Sequence, residues 1–339
     1  MPANTRNRTL LVAFFVLAIL LAVPGAAQTS GSPESPGDFP TIKANVNVVS
    51  LYFNVKDKHG LLIPHLTPAD FEVLEDGKPQ TIKYFDADTT QSLTLGMMID
   101  SSASQTRVLD MEKEVGSQFL QQVLREKDLA YVISFDVNVD LLQDFTNSTK
   151  SLKAALYRAK INAGGFSSPG VAGGPVPTAS TPRGTLLYDA VWLGSREKLA
   201  SEVGRKAMIL LTDGEDQGSR ESIKSAIEAA QKADVMVYVI LIADRGFYGG
   251  MGYSGDRAMK DLTRETGGRV IEVGNDQKKL KEAFDQIAAE LRSQYSIGYT
   301  STNSKLDGSF RKIEIKTKNK DFRIQARSGY YASRNAVGD

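Results

Sequence analysis

Leu93-Thr94-Leu95-Gly96-Met97-Met98-Ile99-Asp100-Ser101-Ser102-Ala103-Ser104 is a mostly apolar run that ends on an acid and a group of hydroxyls. An apolar run of this length bounded by polar residues reads as a buried strand. The pattern continues on the C-terminal side. Residues 108–124 carry helical spacing, Leu129–Phe135 is a second strand, and 137–145 folds back on it. Further helices are expected at 150–160, 185–199, 221–233, 257–265 and Gln277–Arg292, and further strands at 207–211, 235–242 and 269–273. Strands alternating with helices imply crossover connections, and so a mostly parallel, doubly wound α/β sheet of Rossmann-like type with both faces covered.

On either side of this region the chain holds strands without helices. Residues 46–55, 71–74 and 82–85 precede it; Tyr295–Thr300, 310–316 and 322–326 follow it, ending in Tyr330-Tyr331. Asp76-Gly77 between 71–74 and 82–85 is a hairpin signal, because the tight turn needs positive φ. Neither set of strands makes a core alone. The expectation is one β-sandwich built from both, residues near Val48 packing against residues near Ile313, with the α/β region inserted. The divisions are 1–27 a signal peptide, 28–40 a flexible linker, 41–90 and 295–332 the two parts of the sandwich, 91–294 the α/β domain, and 333–339 a tail.

The 339 residues are 41% hydrophobic and 24% charged, with a formal net charge of +1. That balance speaks against nucleic acid as a partner. The chain has no cysteine, which excludes disulfides, thiolate metal sites and cysteine nucleophiles. The only histidines are His59 and His65, too few for a histidine-rich zinc site. At the N-terminus, Arg6 and Arg8 precede an apolar run from Leu10 to Val23, and Gly25-Ala26-Ala27 offers small residues for cleavage after Ala27. The protein is therefore expected to be exported, to the periplasm or beyond. An uncleaved membrane anchor is the alternative, though the run falls short of the roughly 20 residues that span a bilayer. Two glycine-rich loops stand out, 164–184 and 245–255; the first reads as a linker and immediately precedes Thr185, and the alternative is that both border the binding surface.

Asp100 closes the 93–99 strand and Asp213 closes the 207–211 strand. In a parallel sheet both lie at the carboxyl edge, where ligands bind. With Ser102, Ser104 and Thr185 they supply two carboxylates and three hydroxyls, hard oxygen donors of the kind Mg²⁺ or Mn²⁺ favours. Two carboxylates neutralise a divalent ion without exceeding it, which leaves it receptive to an incoming acid. Each residue alone has a plainer reading, because Asp, Ser and Thr beside a strand also serve as helix caps and turn residues. Trp192, Tyr330 and Tyr331 read as core packing, and Glu215 and Asp216 as solvated acids.

Asp100, Ser102, Ser104, Thr185 and Asp213 together resemble the metal-ion-dependent adhesion site (MIDAS) of von Willebrand factor A-type domains, over about residues 93–292. Residues 70–85, 295–316 and 327–332 resemble exported acidobacterial VWFA-related proteins. The resemblance implies that the three hydroxyls approach the metal directly, that the two Asp act mainly through water, and that a partner's Asp or Glu completes the shell. The expected function is divalent-metal-dependent protein binding without catalysis. Two alternatives stand beside it. One is a Mg²⁺-dependent phosphoryl-transfer or hydrolytic enzyme, against which Ser102 occupies the second position of a D-x-D nucleophile motif and no G-x-x-x-x-G-K-[ST] loop occurs. The other is a structural envelope module.

Overall fold

The computed structural model describes residues 48–87, 91–162, 184–242 and 255–332. The signal segment 1–27, the linker 28–40, the tail 333–339 and nearly all of the two glycine-rich loops lie outside the described residues.

β1 (Val48–Lys56) buries Val49, Leu51, Phe53 and Val55 on one face, as a strand with one wet side does. β2 (Phe71–Glu75) turns at Asp76 and Gly77, both at positive φ (48° and 78°), into the short β3 (Lys78–Gln80). The hairpin signal was correctly placed, but its partner strand is β3 and not the 82–85 run. That run forms β4 (Ile82–Asp86), which crosses to a different sheet.

The α/β region follows as β5 (Leu93–Asp100), α1 (Leu109–Val123), β6 (Leu129–Phe135), β7 (Val139–Thr146), α2 (Thr149–Leu156), α3 (Leu187–Leu193), β8 (Arg205–Thr212), α4 (Ile223–Lys232), β9 (Val235–Leu241), α5 (Gly255–Thr266), β10 (Val270–Glu272) and α6 (Gln277–Arg292). A π-helical turn, Gly194–Leu199, extends α3. The strands form one six-stranded sheet in the order β10-β9-β8-β5-β6-β7, parallel except for β7. Every residue of β5 is buried. Leu95, Met97 and Ile99 join one cluster with α1, α2 and α6; Met98 joins another with α3, α4 and α5. The sheet is thus covered on both faces, as its apolar strands require. Trp192 departs from the core expectation: it is half-buried, with the Arg196 guanidinium 4.8 Å over its ring.

The chain ends in β11 (Tyr295–Thr300), β12 (Phe310–Thr317), β13 (Arg323–Ala326) and β14 (Gly329–Tyr331). Two four-stranded sheets result, β13-β1-β11-β4 and β14-β12-β2-β3. Each mixes early and late strands: β1 runs antiparallel to β11, and β2 to β12. Val49, Phe53, Phe71, Tyr295 and Ile313 share one hydrophobic cluster, with Phe53 edge-on to Phe71 at 5.2 Å. Glu75 on β2 accepts the Arg311 guanidinium (3.1 Å) and the Tyr299 hydroxyl of the other sheet (2.8 Å). On α6, buried Glu290 accepts Lys56 Nζ (2.8 Å), Arg269 Nε (2.7 Å) and Gln325 Nε2 (3.1 Å), joining the six-stranded sheet's last helix to β1 and β13.

Connections place β6 on one side of β5 and β8 on the other. The carboxyl end of β5 is therefore the topological switch point, the crevice where open α/β sheets take their ligands.

Candidate metal centre

Asp100 ends β5 and is completely buried. Its Oδ1 accepts the Ser102 N–H (2.9 Å) and its Oδ2 accepts the Thr212 hydroxyl (2.7 Å). Thr212 is the last residue of β8, so this bond ties two neighbouring parallel strands at their carboxyl ends. Thr212 Oγ1 also accepts the N–H of Gly214 (3.0 Å), whose φ of +82° starts the turn after Asp213. Asp213 is buried and accepts the Glu215 N–H through Oδ1 (3.1 Å). Thr212 was passed over in the sequence because a hydroxyl at a strand end looks like ordinary strand chemistry. The adjacent Asp213-Gly214 turn is the signal that marks its position.

Ser102 stands at the N-cap of a single 3-10 turn (Ala103–Gln105), yet its side chain makes no capping bond. Its Oγ lies 2.9 Å from Oγ of Ser104 instead. The capping alternative thus does not account for Ser102. Thr185 is not a cap either, since α3 starts two residues later and Leu186 holds the cap position. Thr185 is clamped to Gln217 by two main-chain bonds (3.1 and 2.9 Å). Gly184 permits that approach, for a Cβ there would sit 2.4 Å from the Gln217 carbonyl oxygen. The Leu186 N–H reaches the Asp136 carbonyl (2.7 Å), and the Asp136 carboxylate accepts the Ser101 hydroxyl (3.0 Å). Through Asp136 the Thr185 segment is laced to the loop that carries Ser102 and Ser104.

Two acids support the loop after Asp213. Asp189 accepts the N–H groups of Arg220 (3.2 Å) and Glu221 (2.8 Å). Asp216, expected to be solvated, accepts the Tyr188 N–H (3.1 Å) in the first turn of α3, where a negative charge is favoured.

The donor chemistry fits a small divalent ion. The Ser102 and Ser104 hydroxyls hydrogen-bond each other at 2.9 Å, which sets two hard oxygen donors of the kind Mg²⁺ accepts side by side. Burial, and then the charge of nearby Asp213, push the Asp100 carboxyl up to about 7, so a second negative charge is disfavoured here unless a cation offsets it. Among the described residues no group of three or more His, Cys, Asp or Glu is arranged as a metal cage, so any ion here would depend on the hydroxyls. A shallow cleft lined by Tyr52, Arg205, Lys206, Asp234 and Arg327 lies at the opposite, amino-terminal edge of the strands, away from this chemistry.

Comparison of the sequence with protein families and with curated proteins finds no match. Comparison with solved structures finds several that are similar to part of this chain. BatB from Bacteroides thetaiotaomicron is 18% identical over 59% of this chain and 100% of that one, with a TM-score of 0.44. The vWF domain of the type V pili tip protein Mfa5 from Porphyromonas gingivalis is 14% identical over 60% and 96%, with a TM-score of 0.43. Proximal thread matrix protein 1 from the mussel byssus, with a zinc-occupied MIDAS motif, is 15% identical over 63% and 48%, with a TM-score of 0.46. The chain spans about half the length of that mussel protein.

Proposed function

We propose that this protein is an exported, divalent-metal-dependent binding module that engages an acidic side chain of a protein partner. Ser102, Ser104, Thr185, Asp100 and Asp213 would hold Mg²⁺ or Mn²⁺ with their hydroxyl and carboxylate oxygens. The observation that carries this reading is the Ser102–Ser104 hydroxyl pair, 2.9 Å apart, on the loop that follows buried Asp100, with buried Asp213 close enough to repel it. A bound ion supplies one electrophilic position for a carboxylate. The chain's own residues do the rest: Thr212 and the Ser102 N–H fix the orientation of Asp100, and the Gln217 clamp fixes Thr185. In this reading the protein binds and does not catalyse. Residues 91–294 form the site-bearing domain, 41–90 and 295–332 a β-sandwich that frames it, and 1–27 are removed on export.

Calorimetric titration of the purified protein with Mg²⁺ or Mn²⁺ is expected to show uptake at one site, reversed by EDTA. Asp100→Ala is expected to abolish it with circular dichroism unchanged. In pull-downs from the cell envelope, a partner should be retained with Mg²⁺ and lost in EDTA. Metal uptake by Asp100→Ala equal to that of wild type would remove the mechanism.

A further inference from the structure

At the amino-terminal edge of the six-stranded sheet, the fold gathers positive charge that its own acids do not match. Arg205 and Lys206 open β8, and Arg327 follows β13. With Asp234, the residue before β9, and Tyr52 on β1, they line one cleft. Three cations there face one carboxylate.

Arg205 is 5% exposed, and it makes no ion pair among the described residues. Its guanidinium donates only to neutral oxygens: the Gln91 carbonyl from Nε (3.1 Å) and Nη2 (2.9 Å), Gln294 Oε1 from Nη1 (3.4 Å), and the Leu291 carbonyl. Leu291 lies in the last turn of α6, so part of the work of Arg205 is to close that helix. Lys206 does no such work. The residue is only partly exposed, yet its ammonium makes no hydrogen bond and no ion pair among the described residues. Burial lowers its proton affinity; Asp234 attracts it from a distance and Arg327 opposes that pull. Arg327 itself pairs with Asp234 and donates to the Ser50 carbonyl (2.8 Å). That pair takes up the one carboxylate of the cleft. Arg205 and Lys206 are left adjacent in sequence, both withdrawn from water, with no acid against either. Charges withdrawn from water are costly unless an opposite charge meets them.

We propose that this cleft binds a doubly charged oxyanion of the sulfate and phosphate class, held by the Lys206 ammonium with Arg205 and Arg327 supplying flanking charge. Two negative charges balance three cations and one acid. Arginine and lysine are the side chains suited to such an ion, the one by its planar fork of donors and the other as a point charge. Arg205 and Lys206 belong to the six-stranded sheet and Arg327 follows a strand paired with β1, so the anion bridges the two. The site is separate from the candidate metal centre, for Arg205 and Thr212 are the first and last residues of β8.

The test is calorimetric titration of the full chain with sodium sulfate, sodium phosphate and a phosphate monoester, glycerol phosphate. It is run in EDTA, with ionic strength held constant by NaCl, for wild type, Lys206→Met and Lys206→Gln. Wild type is expected to take up the oxyanion at one site. Uptake of the inorganic ions alone assigns the site to a free ion, and equal or tighter uptake of the monoester assigns it to an esterified phosphate. Both variants should weaken uptake tenfold or more, since a charge-assisted donor has been removed. Without oxyanion they should melt at the wild-type temperature or higher, because an unpaired, partly buried cation is gone. A purely structural Lys206 would instead lower that melting temperature and leave uptake unchanged. Wild-type uptake in either folded variant overturns the inference, as does absence of uptake by wild type at millimolar sulfate and phosphate; neither result touches the metal-binding reading.

Discussion

Thr212 carries no charge, yet it governs the charged centre. Its one hydroxyl donates to Asp100 and accepts from Gly214, so it links β5, β8 and the turn after Asp213. Thr212→Val is expected to leave Asp100 Oδ2 short of a donor and the Gly214 N–H unpaired, costing about 1–3 kcal/mol. Thr212→Ser should recover most of this, with chemical denaturation as the measure. Asp100 adds a pH dependence whose sign follows from its burial. Its proton affinity is raised in the folded chain, so the folded state keeps a proton that the unfolded chain releases. Its contribution to metal-free stability is greatest below the ordinary value of 3.8 and is lost as the pH climbs toward about 7. In EDTA, the melting temperature of wild type relative to Asp100→Asn should therefore fall across that interval. Saturating Mg²⁺ should suppress the fall, and a constant difference in EDTA would contradict the account. At this scale the sequence placed Asp100 and Asp213 correctly at the carboxyl ends of two strands, because Asp-x-Ser-x-Ser and Asp-Gly follow apolar runs. Glu112 and Gln105 were not readable. A polar residue in a turn or beside charged helix neighbours looks solvated, and only the folded chain shows that Gln105 on the 3-10 turn and Glu112 on α1 are enclosed.

Among elements, β6 and α6 match their expected spans, since each combines a clean apolar period with distinct ends. Asp276 caps α6 by accepting the N–H groups of Lys278 and Lys279. The short β3 was missed: it is three residues long and contains Pro79, a poor strand former suited to an edge. The switch of β4 into the second sheet was missed for a different reason. Its partner, β11, lies more than 200 residues away, and local pattern says nothing about so distant a neighbour. One close approach inside the parallel sheet decides how α3 meets β5. Gly96 faces the ring of Tyr131, and a Cβ at Gly96 would lie 2.4 Å from the Tyr131 hydroxyl, which donates to the Gly194 carbonyl at 3.3 Å. Gly96→Ala is expected to destabilise the protein by about 1–3 kcal/mol through overpacking. An unchanged denaturation midpoint would show that the Tyr131 ring has room to move.

For the whole molecule, Glu290 is the main polar tie between α6 and the outer sheets. It is nearly inaccessible and receives Lys56, Arg269 and Gln325. Glu290→Ala leaves two cations without their acid, and breaking a buried pair from one side costs about 3–5 kcal/mol. The expected result is a lowered melting temperature, with cleavage by protease beginning in β1 or β13 before the six-stranded sheet. Protection of β1 and β13 equal to that of wild type would assign the tie elsewhere. The arrangement of β1 has a further consequence in time. Its hydrogen-bonding neighbours are β11 and β13, so Val48 waits for Thr300, and Phe53 for Ala326. During synthesis β1, the first strand among the described residues, remains without either flanking partner until residues 295–326 have been made. Closing such long loops slows folding. A chain built this way reaches its final shape late, because β1 stays unpaired for as long as β11 and β13 are missing.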